Sequence, residues 1–416
     1  MSEALPIVWS IAGTDSGGGA GLAADHRMAH AFGVHLCGMV AAVTAQNSLR
    51  VTHIAPVGVA QLDMQLAALD EDMPPRVVKT GLLGTAEQIG RVADWIDRLR
   101  ERADVALVVD PVLSSSTGAA FAGGDALRAY RELLLPRTTV LTPNRREAEQ
   151  LLGAPSDVPS MARQLKAMGA ATVCIKGGDH IDASGLSLDW LDSAHANGWL
   201  ANERIDTPHT HGTGCSFATA VASAMALGFV SADAVVLAKM ATTHAIAHGH
   251  AAGHGAGPVS AHAGFAVEPS RLPRMSWSEA PDFERRAPPT DRASLGLYAI
   301  VDSAERVKAV LDAGVRSVQL RMKTPAQAGA AWHAKLCEEI KQAIAACDSA
   351  GADLFINDHW QLALELGATG LHLGQEDLAA LTDAQRARLR ARGVSLGISS
   401  HSLWELCRAA SMSPRY

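Results

Sequence analysis

At 416 residues, 48% hydrophobic and 19% charged, with a formal net charge of −7, the chain has material for two or three domains and lacks the basic surface of a general nucleic-acid binder. No apolar run reaches the ~18 residues of a spanning helix, and no basic segment precedes the short N-terminal apolar run, which argues against a membrane span or a secretory signal. The six cysteines, Cys37, Cys174, Cys215, Cys337, Cys347 and Cys407, form no CxxC pair and suit reduced thiols in a cytoplasm. In chain order, short runs of β-formers at 7–12, 105–109, 138–141 and 172–175 predict buried parallel strands. Helical patterns lie between or after them at 88–100, 125–134, 160–168, 218–227 and 232–247. Alternating strands and helices predict an α/β fold. Residues 267–294 are rich in Pro and Arg with little apolar periodicity and read as a linker between a domain at 1–266 and a second at 295–416. Strand-like segments then return at 297–301, 317–320, 354–357, 370–373 and 394–398, with helical stretches at 304–313 and 326–345.

The segment GTDSGGGAG at 13–21 follows the first strand and precedes a helix. Glycine removes side-chain bulk and lets backbone approach a ligand; the alternative is a plain tight turn. A dinucleotide fingerprint needs an acidic residue about 20 positions on, and no Asp or Glu occurs between His26 and Leu62. A phosphate-binding P-loop needs a Gly-Lys pair, and the chain has none. Further on, THGTGC at 210–215 opens the helical stretch that runs to Leu227. The first N–H groups of a helix are unpaired and attract anions. A thiol there, Cys215, is a candidate base with a lowered pKa; the alternative is a buried structural cysteine.

These motifs, with TAQN at 44–47, KTGLL at 79–83, DPVL at 110–113, TPNRREAE at 142–149 and KGG at 176–178, occur in an order that resembles the hydroxymethylpyrimidine/phosphomethylpyrimidine kinases of thiamine biosynthesis, a branch of the ribokinase-like doubly wound α/β fold. Sugar kinases of that fold mostly carry Asp where Cys215 stands, so the cysteine points to the pyrimidine branch. The resemblance implies a kinase that uses ATP and Mg²⁺ on a small-molecule pyrimidine. It assigns Cys215 to the pyrimidine's 5-hydroxymethyl group, and Gly212, Thr213 and Gly214 to the anion hole for the transferring phosphoryl. Gln46, Asp25, Gly13 and Val112 would line the pyrimidine; Lys176, Asn144 and Thr213 would meet the nucleotide; Glu147 and Asp110 would hold the metal. Bland alternatives remain: solvation of a helix for Asp25, an Asp-Pro turn for Asp110, a strand-end surface lysine for Lys176. The serine-rich loop at 114–118 stands where many relatives have a lysine, and Arg145-Arg146 replaces the usual pair before the family Glu. His244 and His248 share a helical face, but the histidines at 244, 248, 250 and 254 resemble the Gly/His-rich end of the same family rather than a metal site. Rival functions are a vitamin B6 (pyridoxal) kinase of the same fold and a catalytically silent pyrimidine-binding protein. Fold relatives often dimerise, which leaves a homodimer open; the sequence itself does not set the oligomeric state.

Residues 295–416 resemble the N-terminal part of thiamine-phosphate synthase, a TIM-type barrel, through GLYAIVD at 296–302, VQLRMK at 318–323, FIND at 355–358, GLHLGQED at 370–377 and LGISSH at 396–401. Charged residues at the C-terminal ends of barrel strands belong to the active-site face. Gln319, Arg321 and Lys323 alternate along one strand and into its C-terminal loop; the resemblance assigns Arg321 and Lys323 to a pyrimidine diphosphate, Asp358 and Asp377 to Mg²⁺ with Asn357 nearby, and Ser399 to the pyrimidine side. A full barrel needs eight strand–helix units; the sequence predicts an incomplete barrel of about five strands. The expectation is therefore an active kinase and an inactive synthase portion.

Overall fold

The computed structural model describes residues 4–113, 123–178, 185–281, 283, 294–391 and 393–416. The serine-rich loop at 114–118 and most of 282–293 lie outside the described residues. Contacts divide the chain into two units, Met1–Arg274 and Met275–Tyr416.

The first unit runs β1 (Ile7–Asp15), α1 (Gly21–Phe32), β2 (His35–Gln46), β3 (Val51–Pro56), α2 (Val59–Asp72), β4 (Val77–Thr80), α3 (Ala86–Arg100), β5 (Ala106–Val109), α4 (Gly124–Ala129), β6 (Val140–Leu141), α5 (Arg145–Leu152), α6 (Val158–Ala167), β7 (Thr172–Lys176), β8 (Leu186–Asp192), β9 (Asn197–Glu203), α7 (Thr213–Ala226) and α8 (Ser231–Ala247), with β10 (Arg274–Met275) at the boundary. The sheet order is β10-β9-β8-β7-β6-β5-β4-β1-β2-β3. From β2 through β1, β4, β5 and β6 to β7 the strands are parallel; β3 at one side and β8 and β9 at the other are antiparallel. The order reverses between β1 and β4, and ligands of doubly wound sheets bind at the carboxyl ends of strands at such a switch point.

Local chemistry explains the elements. β1 and β5 are buried on both faces, so they read as continuous apolar runs. α3 buries Ile89, Val92, Ala93, Ile96 and Leu99, a helical stripe, and starts where the Thr85 side chain accepts from the Gln88 N–H. Ile89, Val92, Ile96 and Leu99 each add roughly 1.5–3 kcal/mol when fully buried. α5 ends at Gly153 and α1 at Gly33, both left-handed, a conformation that glycine adopts at little cost.

The helix expected at 125–134 is present, with a change of register inside it: α4 passes through helical backbone at Ala129 and Tyr130 into a π turn at Tyr130–Leu134, and a 3₁₀ turn Leu135–Arg137 follows, in which Pro136 offers no N–H donor. Within the stretch expected as a linker, residues 269–271 form a 3₁₀ turn and 274–275 a short strand. Turns at Phe265–Val267 and Pro269–Arg271 are anchored by Phe265, whose ring lies 4.7 Å from that of Phe32, and by Asn202 donating to the Arg271 carbonyl at 2.9 Å.

The second unit contains β11 (Tyr298–Val301), α9 (Ala304–Asp312), β12 (Ser317–Leu320), α10 (Ala330–Ala350), β13 (Asp353–Asn357), α11 (Trp360–Glu365), β14 (Gly370–Leu373), α12 (Gln375–Ala380), α13 (Asp383–Ala391), β15 (Ser395–Ile398) and α14 (Leu403–Ser411). Its five strands pair in sequence order, all parallel. Alongside β15, Arg415 donates to the Leu396 carbonyl and Ile398 donates to that of Tyr416.

Candidate active site

The glycine loop after β1 is shaped by Asp15. Its Oδ1 accepts from the Gly17 N–H at 2.8 Å; its Oδ2 accepts from Gly19 at 3.0 Å and Ala20 at 2.8 Å. Burial pushes the Asp15 carboxyl up, but hydrogen bonds from His211, Ala20 and Gly17 outweigh it and hold the pKa below its ordinary value. Gly13 sits where the β1–β2 register shifts. Ser16 ties the loop to β2, donating to the Gln46 carbonyl at 2.7 Å and accepting from its N–H at 2.8 Å.

The second glycine segment meets the first. Gly212 caps α7 at φ 83, and a Cβ there would lie 2.1 Å from the Gly19 carbonyl oxygen. No side chain caps this helix. Thr213, Gly214 and Cys215 form its first turn, with the Thr213 hydroxyl donating to the Thr210 carbonyl at 2.6 Å. The expected lowering of the Cys215 pKa is overturned. Burial pushes the thiol up to about 11, and the nearby charge of Lys79 and the Gly21 backbone only partly oppose this.

Directly under Gly214, Lys176 Nζ lies 2.9 Å from Asp110 Oδ1. A Cβ on Gly214 would be 3.3 Å from Lys176 Nζ and 3.8 Å from Asp110 Oδ2. Lys176 is thus no surface lysine. Burial alone would depress it; Asp110 and Glu147 hold its pKa above the usual value. Val112 donates to the Asp110 carbonyl at 2.9 Å, so the Asp-Pro turn and the ion pair coexist. Asn144 and Glu147 form a capping box on α5: the Glu147 N–H donates to Asn144 Oδ1 at 2.9 Å and the Asn144 N–H to Glu147 Oε2 at 2.8 Å. Asn144 bridges to Lys176 across β6 and β7. An apolar cleft beside Lys176 is lined by Val158, Ile175, Leu186, Leu188 and Trp199.

Asp25 is neither solvated nor at the surface. Its carboxylate is fully buried, 2.9 and 3.0 Å from Lys79 Nζ, and accepts from Ser10 at 2.6 Å and Thr219 at 2.7 Å. Sequence reasoning left Lys79 without a role; its partner lies 54 residues away. It likewise left His211 without one, although His211 reaches both Asp15 at 2.9 Å and Gln46 at 3.2 Å. Among the described residues no group of three or more His, Cys, Asp or Glu is arranged to hold a metal. His244 meets Glu268 at 3.2 Å and lies against His248, with ring centroids 4.3 Å apart.

In the second unit, Gln319 donates to Asn357 Oδ1 at 3.0 Å, both buried. Asp358 has φ 61, a strained value for a non-glycine residue. Burial and the charge of Asp377 raise its pKa, with Arg321 opposing. Asp377 Oδ2 accepts from the Gly374 N–H at 2.9 Å at the start of α12. Arg321 and Lys323 are exposed. Ser399 meets His372 Nε2 at 2.8 Å, a partner that sequence reasoning missed.

Comparison with known proteins identifies the family of each part of the chain. The family model for phosphomethylpyrimidine kinase matches residues 15–260, and that for thiamine monophosphate synthase matches 297–416. A probable thiamine biosynthetic bifunctional enzyme, chloroplastic, from Oryza sativa subsp. japonica is 34% identical over 390 residues, covering 90% of this chain and 68% of that one. A hydroxymethylpyrimidine/phosphomethylpyrimidine kinase from Synechococcus elongatus is 41% identical over 262 residues, covering 62% of this chain and 97% of that one. Among solved structures, the Staphylococcus aureus pyridoxal kinase in complex with AMP-PCP and pyridoxal is 28% identical with a TM-score of 0.57, covering 66% of this chain and 98% of that one. A phosphomethylpyrimidine kinase from Clostridium difficile is 30% identical with a TM-score of 0.50, covering 58% and 99%. The first unit therefore has the ribokinase-like fold, the second the parallel sheet of a TIM-type domain, and the chain belongs to the phosphomethylpyrimidine kinase family, fused to a thiamine monophosphate synthase segment.

Proposed function

We propose that this chain phosphorylates 4-amino-5-hydroxymethyl-2-methylpyrimidine, and then its monophosphate, with Mg-ATP in thiamine biosynthesis. The observation that carries the reading is the uncapped N-terminus of α7, with Cys215 in its first turn and the Lys176–Asp110 pair beneath Gly214. Phosphoryl transfer is mainly positioning and charge stabilisation. The N–H groups of 212–214 would receive the transferring phosphoryl, and Lys176 the nucleotide phosphates, with the base in the neighbouring apolar cleft. Gln46, Gly13 and Val112 would face the pyrimidine. Asp25 would act from beneath, through Lys79. The transition state is loose, so the substrate hydroxyl needs little deprotonation before the new bond forms. Burial holds the Cys215 pKa up at about 11, so near neutral pH the thiol keeps its proton and would orient the hydroxyl, and only its thiolate form would accept the hydroxyl's proton.

The residues present fit Mg²⁺. The ion keeps several waters and uses one or two carboxylates plus substrate phosphates rather than a protein cage. Asp110, whose Oδ2 lies toward Gly214, and Glu147 supply two carboxylates beside the phosphate position. Bound there, the ion would neutralise charge on the transferring phosphoryl. Asn144 would act by fixing Glu147 through the capping box.

The test is ADP formation by the purified chain with Mg-ATP and the hydroxymethylpyrimidine. Cys215→Ala should cut turnover at least about 100-fold while ATP still binds. Pyrimidine binding without ADP formation would sink the kinase reading. A pyridoxal kinase is the second reading, favoured by the likeness to the S. aureus pyridoxal kinase. Comparing kcat/KM for pyridoxal and the pyrimidine separates the two. We further propose that the 416-residue chain does not by itself make thiamine phosphate, because the sheet β11–β15 is open rather than closed. Turnover from the pyrimidine diphosphate and thiazole phosphate would refute that.

A further inference from the structure

The Gln46 amide sits between two groups whose hydrogens are already committed. On one side, His211 Nε2 is 3.2 Å from Gln46 Nε2 and 2.9 Å from Asp15 Oδ2. On the other, Thr44 Oγ1 is 3.4 Å from Gln46 Oε1 and donates to the Thr14 carbonyl at 2.8 Å. Asp15 already accepts three backbone N–H groups and is held ionised, so it can only accept. A ring nitrogen facing it carries a hydrogen. That makes His211 an Nε2–H donor, and a Gln46 N–H pointing at it is a donor against a donor. Thr44 has one hydroxyl hydrogen, spent on Thr14, so it can only accept from Gln46. Both conflicts vanish when the amide is turned end for end, its oxygen sharing the one Nε2 hydrogen of His211 with Asp15 and its NH₂ donating to Thr44, the rule by which amide nitrogen and oxygen are told apart.

The imidazole itself is fixed on several sides. A Cβ on Gly19 would lie 2.2 Å from His211 Cδ2, so the ring rests on a bare glycine face. The His211 N–H donates to the Gly257 carbonyl at 3.0 Å, and its own carbonyl accepts from Val259 at 3.1 Å.

We propose that His211, held by Asp15, is a positioning residue that locks the Gln46 amide with its oxygen toward the imidazole and its NH₂ toward Thr44, and so fixes the order in which the site reads a ligand's donor and acceptor. One lone pair on Oε1 and one hydrogen on Nε2 remain, an acceptor beside a donor in a set order. A 4-aminopyrimidine offers the complement, an amino N–H beside a bare ring nitrogen. Its 4-oxo analogue offers the reverse and meets lone pair with lone pair and hydrogen with hydrogen. The identity of the ligand rests on the function proposed above; the orientation of the amide does not.

Two measurements test this. ¹⁵N NMR of the histidine-labelled full chain, with the signal assigned through His211→Ala, reads the imidazole without substrate. A hydrogen on Nε2 at pH 8 is expected; a bare Nε2 overturns the proposal. The second is the kcat/KM ratio for 4-amino-5-hydroxymethyl-2-methylpyrimidine over its 4-oxo analogue. The natural chain should prefer the amino compound by about 100-fold or more. His211→Ala frees the amide to rotate, and the preference should fall to within about 10-fold. His211→Gln, which keeps an N–H at similar reach, should restore most of it. A His211→Ala protein that retains the full preference refutes the proposal. If the natural chain phosphorylates neither pyrimidine, the kinase reading fails and the tautomer decides the orientation alone.

Discussion

Replacing Lys79 by Met should destabilise the first unit far more than any surface change. Lys79 and Asp25 both have 0% side-chain exposure, with Nζ 2.9 Å from Oδ2. Removing the cation leaves a carboxylate out of water without its ion-pair partner, with hydrogen bonds from the Ser10 and Thr219 hydroxyls. Breaking one side of a buried pair costs about 3–5 kcal/mol. At about 2–4 °C per kcal/mol for units of this size, the melting temperature should fall by roughly 6–20 °C. Asp25→Leu should cost a similar amount. The double variant removes both charges but leaves Ser10 and Thr219 without their acceptor, at about 1–3 kcal/mol each. It should therefore lose less than the two single variants summed, by several kcal/mol. Urea unfolding followed by circular dichroism at pH 7 supplies all four corners of the cycle. A parallel readout is the thiol: without Lys79 the Cys215 pKa rises beyond about 11, so iodoacetamide labelling of Cys215, followed by mass spectrometry, slows at a fixed alkaline pH. A Lys79→Met cost under about 1 kcal/mol, or singles that add within about 0.5 kcal/mol, would refute the reasoning.

Glu147→Gln keeps a capping-box residue type while removing its charge. Stability should change by less than about 1 kcal/mol, while the Mg²⁺ concentration for half-maximal rate rises at least about 10-fold; an unchanged metal dependence would count against Glu147 as a ligand. Gly212→Ala would put a Cβ 2.1 Å from the Gly19 carbonyl at φ 83, so the two loops must separate, and ADP formation should drop to near background while the circular dichroism stays native. Asp15 has a folded pKa below its unfolded one, so its stabilisation is complete above about pH 4 and is lost as pH falls through the folded value. Asp15→Asn should lower the urea midpoint at pH 7 and flatten the decline below pH 4; an acid limb as steep as that of the natural chain would refute this.

Much of the site was legible because it is local. The glycine loop after β1, the helix opening at Gly212 and the Asn144–Glu147 spacing each lie within a few residues, and glycine and capping chemistry are read at that range. The capping box has its own local signature, the spacing Asn-x-x-Glu, which is also the spacing of a metal and phosphate motif. What escaped was long-range. Lys79 finds Asp25 across 54 residues, and His211 finds Asp15 across 196. The Cys215 acidity went the wrong way because a sequence shows the helix end but not the burial. The antiparallel strands β8 and β9 carry mixed patterns, buried and half-buried, that match neither strict alternation nor a continuous apolar run. β10 hides among prolines and arginines because two residues are too short to show a period.

The contact between Gly19 and Gly212 carries a consequence for how this unit is made and unmade. The two glycine loops that meet there come from distant parts of the first unit, and the strap at 257–259 that clamps His211 comes later still. During synthesis, the first two hundred residues can build most of the sheet without possessing a site. Occupancy should therefore protect the whole unit from proteolysis rather than one loop, because opening either end disassembles the same few ångströms of backbone.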